Sequence, residues 1–267
     1  MKKKIILELP TYPYDLEIKK DNIFTKLDKK YRLNLYKYVD RIVTYSDDEE
    51  IFGIKTIKIS NGIDIEKISI ASKLKFNNNE INFISVAQIA FWHGIDRFIL
   101  SMAEYYKNNP KEIIKFHIVG DGDKKIINNL KEIVRVNKLE EYVIFYGYKS
   151  GQKLDEIYSK SDIGVGGLAA FKQGLISGSA LKNREYCAKG LPFIISYIDK
   201  GFNNQKFVYQ VSNDESLFDL NKIIDWYKNL KMTSQSIRKY AEDNLTWDKQ
   251  MKKVIDYILE TEEKEKC

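Results

Sequence analysis

Lys182, Arg184 and Glu185 crowd into a stretch, Ser177 to Ser196, that reads SGSALKNREYCAKGLPFIIS. The pattern predicts a short helix, a turn and a buried strand. Gly178, Ser179 and Ala180 are small enough to open the helix, with Ser177 or Ser179 as its N-cap. Leu181, Glu185 and Ala188 share one helical face, flanked by Lys182 and Arg184. Gly190 stands where a C-cap is expected, Pro192 permits no further helix, and Phe193-Ile194-Ile195 is apolar like a parallel strand. A helix start offers unpaired N–H groups and a positive dipole end, both suited to a phosphate. One turn further on, the Glu185 carboxylate suits two ribose hydroxyls, and these two grips side by side are how α/β folds hold nucleotides. A plain structural helix, with Glu185 paired to Arg184 or a nearby lysine, fits the same residues.

The elements that must position this stretch follow an alternating pattern. Lys4 to Leu9 is a strand, Tyr31 to Val39 has apolar residues at helical spacing, Arg41 to Ser46 is a buried strand, and Lys55 to Ile59 is another short one before the Asn61-Gly62 turn. Such a β–α–β–β run is too small for a doubly wound sheet. The expectation is therefore that the first half of this domain is missing or supplied by a partner. Lys67 to Asn79 is polar and Asn-rich, a linker. Strands are then expected at Ile81–Ala87, Phe116–Val119, Val143–Tyr146, Ile163–Val165, Ile194–Ser196 and around Val208. Helices are expected at Ile95–Tyr106, Lys124–Val136, Lys153–Ser159, Leu220–Leu230, Thr233–Leu245 and Trp247–Glu260. Alternating strands and helices imply a parallel sheet covered on both faces, with ligands beyond the carboxyl ends of the strands. Three loops lie there: Gln88–Gly94, Gly120–Asp123 and Leu168–Ala180. Gly120 and Gly122 let backbone approach a ligand or merely make a βα turn. His93 donates to a phosphate or packs beside Trp92. Leu168–Ser179, with Lys172 its one charge, is a lid, an acceptor-facing loop or an ordinary surface loop.

Composition narrows the classes. A chain of 267 residues with 43% hydrophobic and 31% charged residues builds one large domain or two smaller ones. The net charge of +6 is spread along the chain with no dense basic block, which argues against a nucleic-acid partner and suits a polyanionic substrate or an anionic membrane surface. No apolar run approaches the ~20 residues of a membrane span, and MKKKIILELP has too short an apolar core for a signal peptide. Cys187 and Cys267 make no disulfide framework, and with only His93 and His117 no metal centre is expected. A reduced, cytoplasmic setting fits these counts.

The segments ISVAQIAFWHGIDRFI, FHIVGDGD, VIFYGYKSGQKLDEIYSKSDIGV, ALKNREYCAKGLPFIIS and NLTWDKQ, in that order, resemble the donor half of retaining family-4 glycosyltransferases of the GT-B fold. ISNGID resembles the hinge leading into that half. LELPTYPYD and YVDRIVTYSD resemble the last part of the acceptor domain in bacterial polysaccharide transferases. The resemblance implies a truncated Rossmann-like acceptor domain over 1–62, a complete Rossmann-like donor domain over 63–246, and a helix over 247–267 that crosses back to brace the N-terminal part. It also implies transfer of a sugar, with retention, from a nucleotide diphosphate sugar to a saccharide or lipid-linked saccharide in cell-surface polysaccharide synthesis, with no cofactor. The enzyme would work in the cytoplasm, at the inner face of the membrane where the acceptor is lipid-linked, although the sequence displays no amphipathic anchor.

Glu185 would hold the ribose, the start of the helix from Gly178 to Leu181 the diphosphate, and Gly120 and Gly122 would lie by the nucleotide. The family pairs two glutamates at the spacing of Ser177 and Glu185, and here the first is Ser177. Its diphosphate-binding Arg and Lys correspond to Gln88 and His93, so Lys182 or Arg184 is expected to supply the missing charge. No catalytic residue is assigned. A catalytically incomplete nucleotide-sugar binder, or one subunit of a two-chain transferase, is the alternative. A nucleotide-sugar epimerase on the same scaffold would need carboxylates and a histidine converging on the sugar, and fits less well.

Overall fold

The computed structural model describes residues 3–15, 22–71 and 79–264. Most of the expected Asn-rich linker, and Cys267, lie outside these residues. The chain divides into two compact units, Met1–Gly62 together with Leu245–Cys267, and Ile63–Asn244.

In the first unit, β1 (Ile6–Leu9), β2 (Arg41–Thr44), β3 (Glu50–Ile51) and β4 (Ile54–Lys58) form one sheet in the order β1-β2-β4-β3. β1, β2 and β4 run parallel, and β3 folds back antiparallel on β4. That hairpin turns on Phe52 and Gly53, both at positive φ (53° and 76°), the backbone twist a tight hairpin requires. The strand at Glu50 was not expected. Nor was the helix α1 (Ile23–Tyr31), whose N-cap Asn22 accepts from the Thr25 N–H at 3.0 Å. The helical spacing read over Tyr31–Val39 corresponds to a 3-10 turn, Arg32–Lys37, in which Leu35 packs toward Ile42, Ile51 and Ile54. The last helix, α8 (Trp247–Lys264), lies on this sheet. Val254 and Ile258 join Val43, Ile57 and Ile59, Gln250 Oε1 accepts the Ser60 N–H at 2.9 Å, and the Arg41 guanidinium sits 4.6 Å over the Tyr257 ring.

The second unit alternates β5 (Glu80–Val86), α2 (Ile95–Tyr106), β6 (Ile113–Val119), α3 (Lys124–Val136), β7 (Val143–Gly147), α4 (Gln152–Tyr158), β8 (Ile163–Val165), α5 (Leu181–Ala188), β9 (Phe193–Ile195), β10 (Val208–Gln210), α6 (Leu220–Lys228) and α7 (Ser234–Asn244). All six strands are parallel in the order β10-β9-β8-β5-β6-β7. This is the doubly wound order, and the direction of winding reverses between β5 and β8. The α/β parallel architecture expected from the alternation is present. On one face Phe83 and Phe116 pack against Phe98 of α2, at ring separations of 5.0 and 4.3 Å, with α3 and α6 completing the core. On the other face α5 lies so close to β8 that a Cβ on Gly164 would stand 2.5 Å from the Tyr186 ring.

That second face turns polar toward β7. Glu80, Asn82, Lys115, His117 and Tyr146 line a depression of about 440 Å³ there. His117 is held by Tyr146 Oη and Asn82 Oδ1 at 2.9 and 2.8 Å, and burial pushes its pKa down to about 4. The depression sits at the amino-terminal half of β5, away from the carboxyl ends where such sheets bind ligands.

Gly120 and Gly122 are explained by packing. The loop after β6 pairs with the loop after β5, with the Ala87 N–H on Val119 O (3.0 Å) and the Ile89 N–H on Asp121 O (2.7 Å). A Cβ on Gly120 would lie 1.8 Å from Ala87 O, and φ there is 135°, while one on Gly122 would lie 2.2 Å from Ile89 O. What these glycines admit is protein backbone. Gly120→Ala is expected to destabilise the protein by about 2–4 kcal/mol, measurable as a lower midpoint in urea with an unchanged slope.

Candidate functional site

The strand order reverses between β5 and β8, and the loops leaving those two strands and the start of α5 lie at that switch point, where such sheets bind ligands. β8 leaves the sheet through Gly166-Gly167. A Cβ on Gly166 would stand 2.8 Å from Asn183 Oδ1, and one on Gly167 3.0 Å from the Tyr197 ring. The two glycines let α5 and Tyr197 close in over the strand end. The Leu168–Ser179 segment then runs as a 3-10 turn, Ala170–Gln173, and an extended ribbon in which Ser177 bridges Ile198. It is pinned at several points: the Leu168 N–H on His93 O (3.0 Å), Lys172 on Asp96 (2.9 Å), and Asn213 on the Phe171 N–H (3.1 Å) and Leu175 O (2.8 Å). The buried Arg97 guanidinium also ties Leu168 O (2.7 Å) to Ser212 O (2.8 Å). These contacts tie the segment to the loops around it, while Lys172–Ile176 stay exposed.

α5 begins at Leu181, just past the Gly178–Ala180 stretch expected to open it. Ala180 is its N-cap, with no side-chain cap, so neither Ser177 nor Ser179 plays that part, and Gly178, Ser179 and Ala180 are an extended lead-in. The N–H groups of Leu181 and Lys182 meet no acceptor among the described residues. The C-terminus closes as foreseen at Gly190 (φ 76°), with the Leu191 N–H on Tyr186 O and the Gly190 N–H on Cys187 O.

Lys182 is the unusual residue of this helix. Its Nζ is buried and meets no hydrogen-bond partner among the described residues, and burial alone pushes its pKa down to about 7. An ammonium left dry and unpaired is costly, and such groups are normally satisfied. His93, on the opposite loop, is near enough for the two charges to oppose. Burial first, and the Lys182 charge second, push its pKa down to about 3. His93 Nδ1 accepts the Ala90 N–H at 3.2 Å, which assigns the ring hydrogen to Nε2 as a neutral donor. Glu185, one turn along α5 from Lys182, is half-buried, its carbonyl accepts the Lys189 N–H at 2.8 Å, and its carboxylate has no hydrogen bond or ion pair among the described residues. Burial raises its pKa, and Lys189 opposes that only in part.

Arg184 must be withdrawn as the supplier of charge to a ligand. Its side chain and that of Asp199 are fully buried, joined by two hydrogen bonds, of which Arg184 Nη2 to Asp199 Oδ1 is 2.7 Å. The guanidinium also donates to Ala180 O at 3.2 Å and stacks 5.0 Å from the Phe202 ring. It holds the lead-in of α5 in place from beneath. Asn183, absent from the expected set, donates from Nδ2 to Tyr197 Oη (2.8 Å) and Asp199 Oδ2 (3.1 Å), leaving Oδ1 buried without a partner among the described residues. The pair Gly166-Gly167 directly after a buried strand was the signal in the sequence that could have found this layer. Among the remaining expected residues, Gln88 is exposed between the paired Ala87 and Ile89, Leu181 is exposed, and Ser177, Ser179 and Ala180 are half-buried along the lead-in. Lys182, His93 and the first turn of α5 are thus brought together at the switch point.

A curated relative, alpha-monoglucosyldiacylglycerol synthase of Acholeplasma laidlawii, is 25% identical over 187 residues, which is 65% of this chain and 44% of that protein. The chain therefore spans less than half the length of that relative. Among solved structures, sucrose-phosphate synthase from Thermosynechococcus elongatus superposes with a TM-score of 0.66 over 96% of this chain and 68% of that one, at 15% identity. Anabaena Alr3699/HepE in complex with UDP and glucose gives 0.65 over 97% and 72%, at 12% identity. At these identities the structures speak for a common fold. Residues 66–244, more than half of the chain, match the family model described as glycosyl transferases group 1, and the chain belongs to that family.

Proposed function

We propose that this protein is a glycosyltransferase that takes a sugar from a nucleotide diphosphate sugar held at the start of α5. The observation that carries this reading is the buried Lys182 ammonium, unpartnered among the described residues, beside two open N–H groups and close to the neutral His93 donor at the strand-order reversal. A diphosphate supplies what each lacks: negative charge for the ammonium and acceptor oxygens for the N–H groups. When the bond between the anomeric carbon and the phosphate oxygen breaks, negative charge grows on the leaving diphosphate. Donors already aimed at it stabilise that charge without reorganising. Glu185 accepts the two ribose hydroxyls.

Retention of configuration and an acceptor of the saccharide or lipid-linked saccharide class follow from the family resemblance. The UDP and glucose bound by the Anabaena protein, and the glucosyl diacylglycerol made by the Acholeplasma synthase, support a hexose donor of this kind. Work in polysaccharide synthesis at a cytoplasmic membrane face belongs to the same proposal.

Calorimetric titration with UDP, GDP and their common sugars tests the reading. One nucleotide series is expected to bind, and Glu185→Ala to weaken it about 10–100-fold, the loss of two hydrogen bonds to a charged acceptor. Binding of no nucleotide, or binding untouched in Glu185→Ala, would refute the assignment.

A further inference from the structure

α1 is amphipathic in the reverse sense. The side it turns to the protein is polar: Thr25 is its one buried residue, Asp28 accepts the Tyr14 hydroxyl at 3.0 Å, and Arg32, just past its end, pairs with Asp15 at 2.9 Å. The side it turns to solvent is apolar. Ile23 is 68% exposed, Phe24 77%, Leu27 44% and Tyr31 55%, and these positions fall on one stripe of the helix. The following 3-10 turn continues the surface with Leu33, Tyr36 and the 70%-exposed Tyr38. A surface helix of a water-soluble domain is built the other way round, and contiguous exposed apolar surface marks an interaction site.

We infer that the α1 surface docks on an anionic lipid bilayer. The charges around the stripe select that occupant over a protein. Lys26 and Lys30 run along one flank of it, and Lys37 stands beside Tyr36 in the next turn, its Nζ 5.8 Å from that ring. Lysine is depleted from protein–protein interfaces, whereas lysines beside an apolar stripe are the mark of helices that lie in the headgroup layer. Their stems reach along the apolar surface while their ammonium groups meet lipid phosphates. Tyr31, Tyr36 and Tyr38 match the preference of tyrosine for the level where hydrocarbon meets water. Phe24, Ile23 and Leu27 supply the part that enters the hydrocarbon. The contact proposed for α1 is a peripheral one, and among the described residues no helix is long and apolar enough to cross a membrane. No anchor is legible in the sequence because the helix at Ile23–Tyr31 turns its apolar stripe outward.

Flotation of the whole protein with vesicles tests this, using phosphatidylcholine alone and an equimolar mixture with phosphatidylglycerol. The protein is expected to float with the mixture and to stay behind with phosphatidylcholine. Phe24→Ser/Leu27→Ser should lower partitioning by about tenfold or more. Lys26→Gln/Lys30→Gln should lower it roughly 30-fold on the mixture, and added salt should mimic that loss. All four residues are exposed, so thermal unfolding of both variants should match the parent. Equal flotation with both vesicle types, no flotation, or variants that float like the parent would overturn the proposal. So would sedimentation showing a dimer that Phe24→Ser/Leu27→Ser dissolves, since the stripe would then be covered by a second copy of the chain.

Discussion

Lys182→Met is expected to lose about 10–100-fold in affinity for a nucleoside diphosphate while making the unliganded protein more stable at neutral pH. Both effects have one cause. The Lys182 pKa is about 7 in the folded protein, lowered by burial from its ordinary value of 10.5. Between those two values the unfolded chain binds more protons at this residue than the folded one, so folding stability rises as pH increases through that window. Below about pH 7 the side chain is charged in both states, and the full cost of burying it is present. Methionine removes that cost, so the variant should melt higher than the parent at pH 6, with the gain gone by about pH 10.

Binding runs the other way. A diphosphate beside Nζ favours the ammonium, worth one or two charge-assisted hydrogen bonds. The parent should therefore take up a proton on binding just above neutrality, read as a heat that depends on the ionisation enthalpy of the buffer. Its affinity should fall as pH rises past 7, and neither effect should survive in Lys182→Met. In the unliganded protein His93 is already neutral above pH 5. A variant less stable than the parent at pH 6, with unchanged affinity, would mean that Lys182 packs rather than binds.

Arg184→Met should destabilise the protein by about 3–5 kcal/mol, because it strands the Asp199 carboxylate in a fully buried site. For a chain of this size the melting temperature should drop by about 10 °C or more. The double variant Arg184→Met/Asp199→Leu removes both charges, and most of the stability should return, as it does when buried ion pairs are replaced by apolar residues of similar volume. Recovery in the double variant separates a stranded charge from lost packing. Because Arg184 Nη1 holds Ala180 O at the lead-in of α5, the double variant should stay weakened for nucleotide although its stability recovers. No recovery would mean that the guanidinium acts chiefly through its stacking on Phe202 and its packing against Gly201.

These contrasts mark what the sequence could and could not convey. The strands of the second unit were legible because each is a short apolar run bounded by glycine, proline or polar residues, and Ile81–Ala87 and Ile163–Val165 are found within a residue of those bounds. α1 was not legible, since the reading looks for apolar spacing as the sign of a face turned inward, and Ile23, Phe24, Leu27 and Tyr31 face outward. The same rule moved the expected helix onto Leu33, Leu35 and Tyr36, where a 3-10 turn places side chains at a different period. Within the site, Lys182 and Glu185 stand one turn apart on a single helix, so local periodicity sufficed. Arg184 looked equivalent to Lys182 because its partner Asp199 lies beyond a strand and a turn, and that pairing is tertiary. The glycines of Gly120-Asp121-Gly122 resemble a ligand loop from sequence, yet they meet the carbonyls of Ala87 and Ile89, which no local pattern announces.

The most direct measurement compares a nucleoside with its diphosphate. Calorimetry would titrate the protein with uridine and UDP, and with guanosine and GDP, in the parent and in Lys182→Met. The expected result is that one diphosphate binds at least about 100-fold more tightly than its nucleoside in the parent, and that most of this advantage vanishes in Lys182→Met. A diphosphate that binds no better than its nucleoside, or an advantage that Lys182→Met leaves whole, would contradict a donor site at the start of α5.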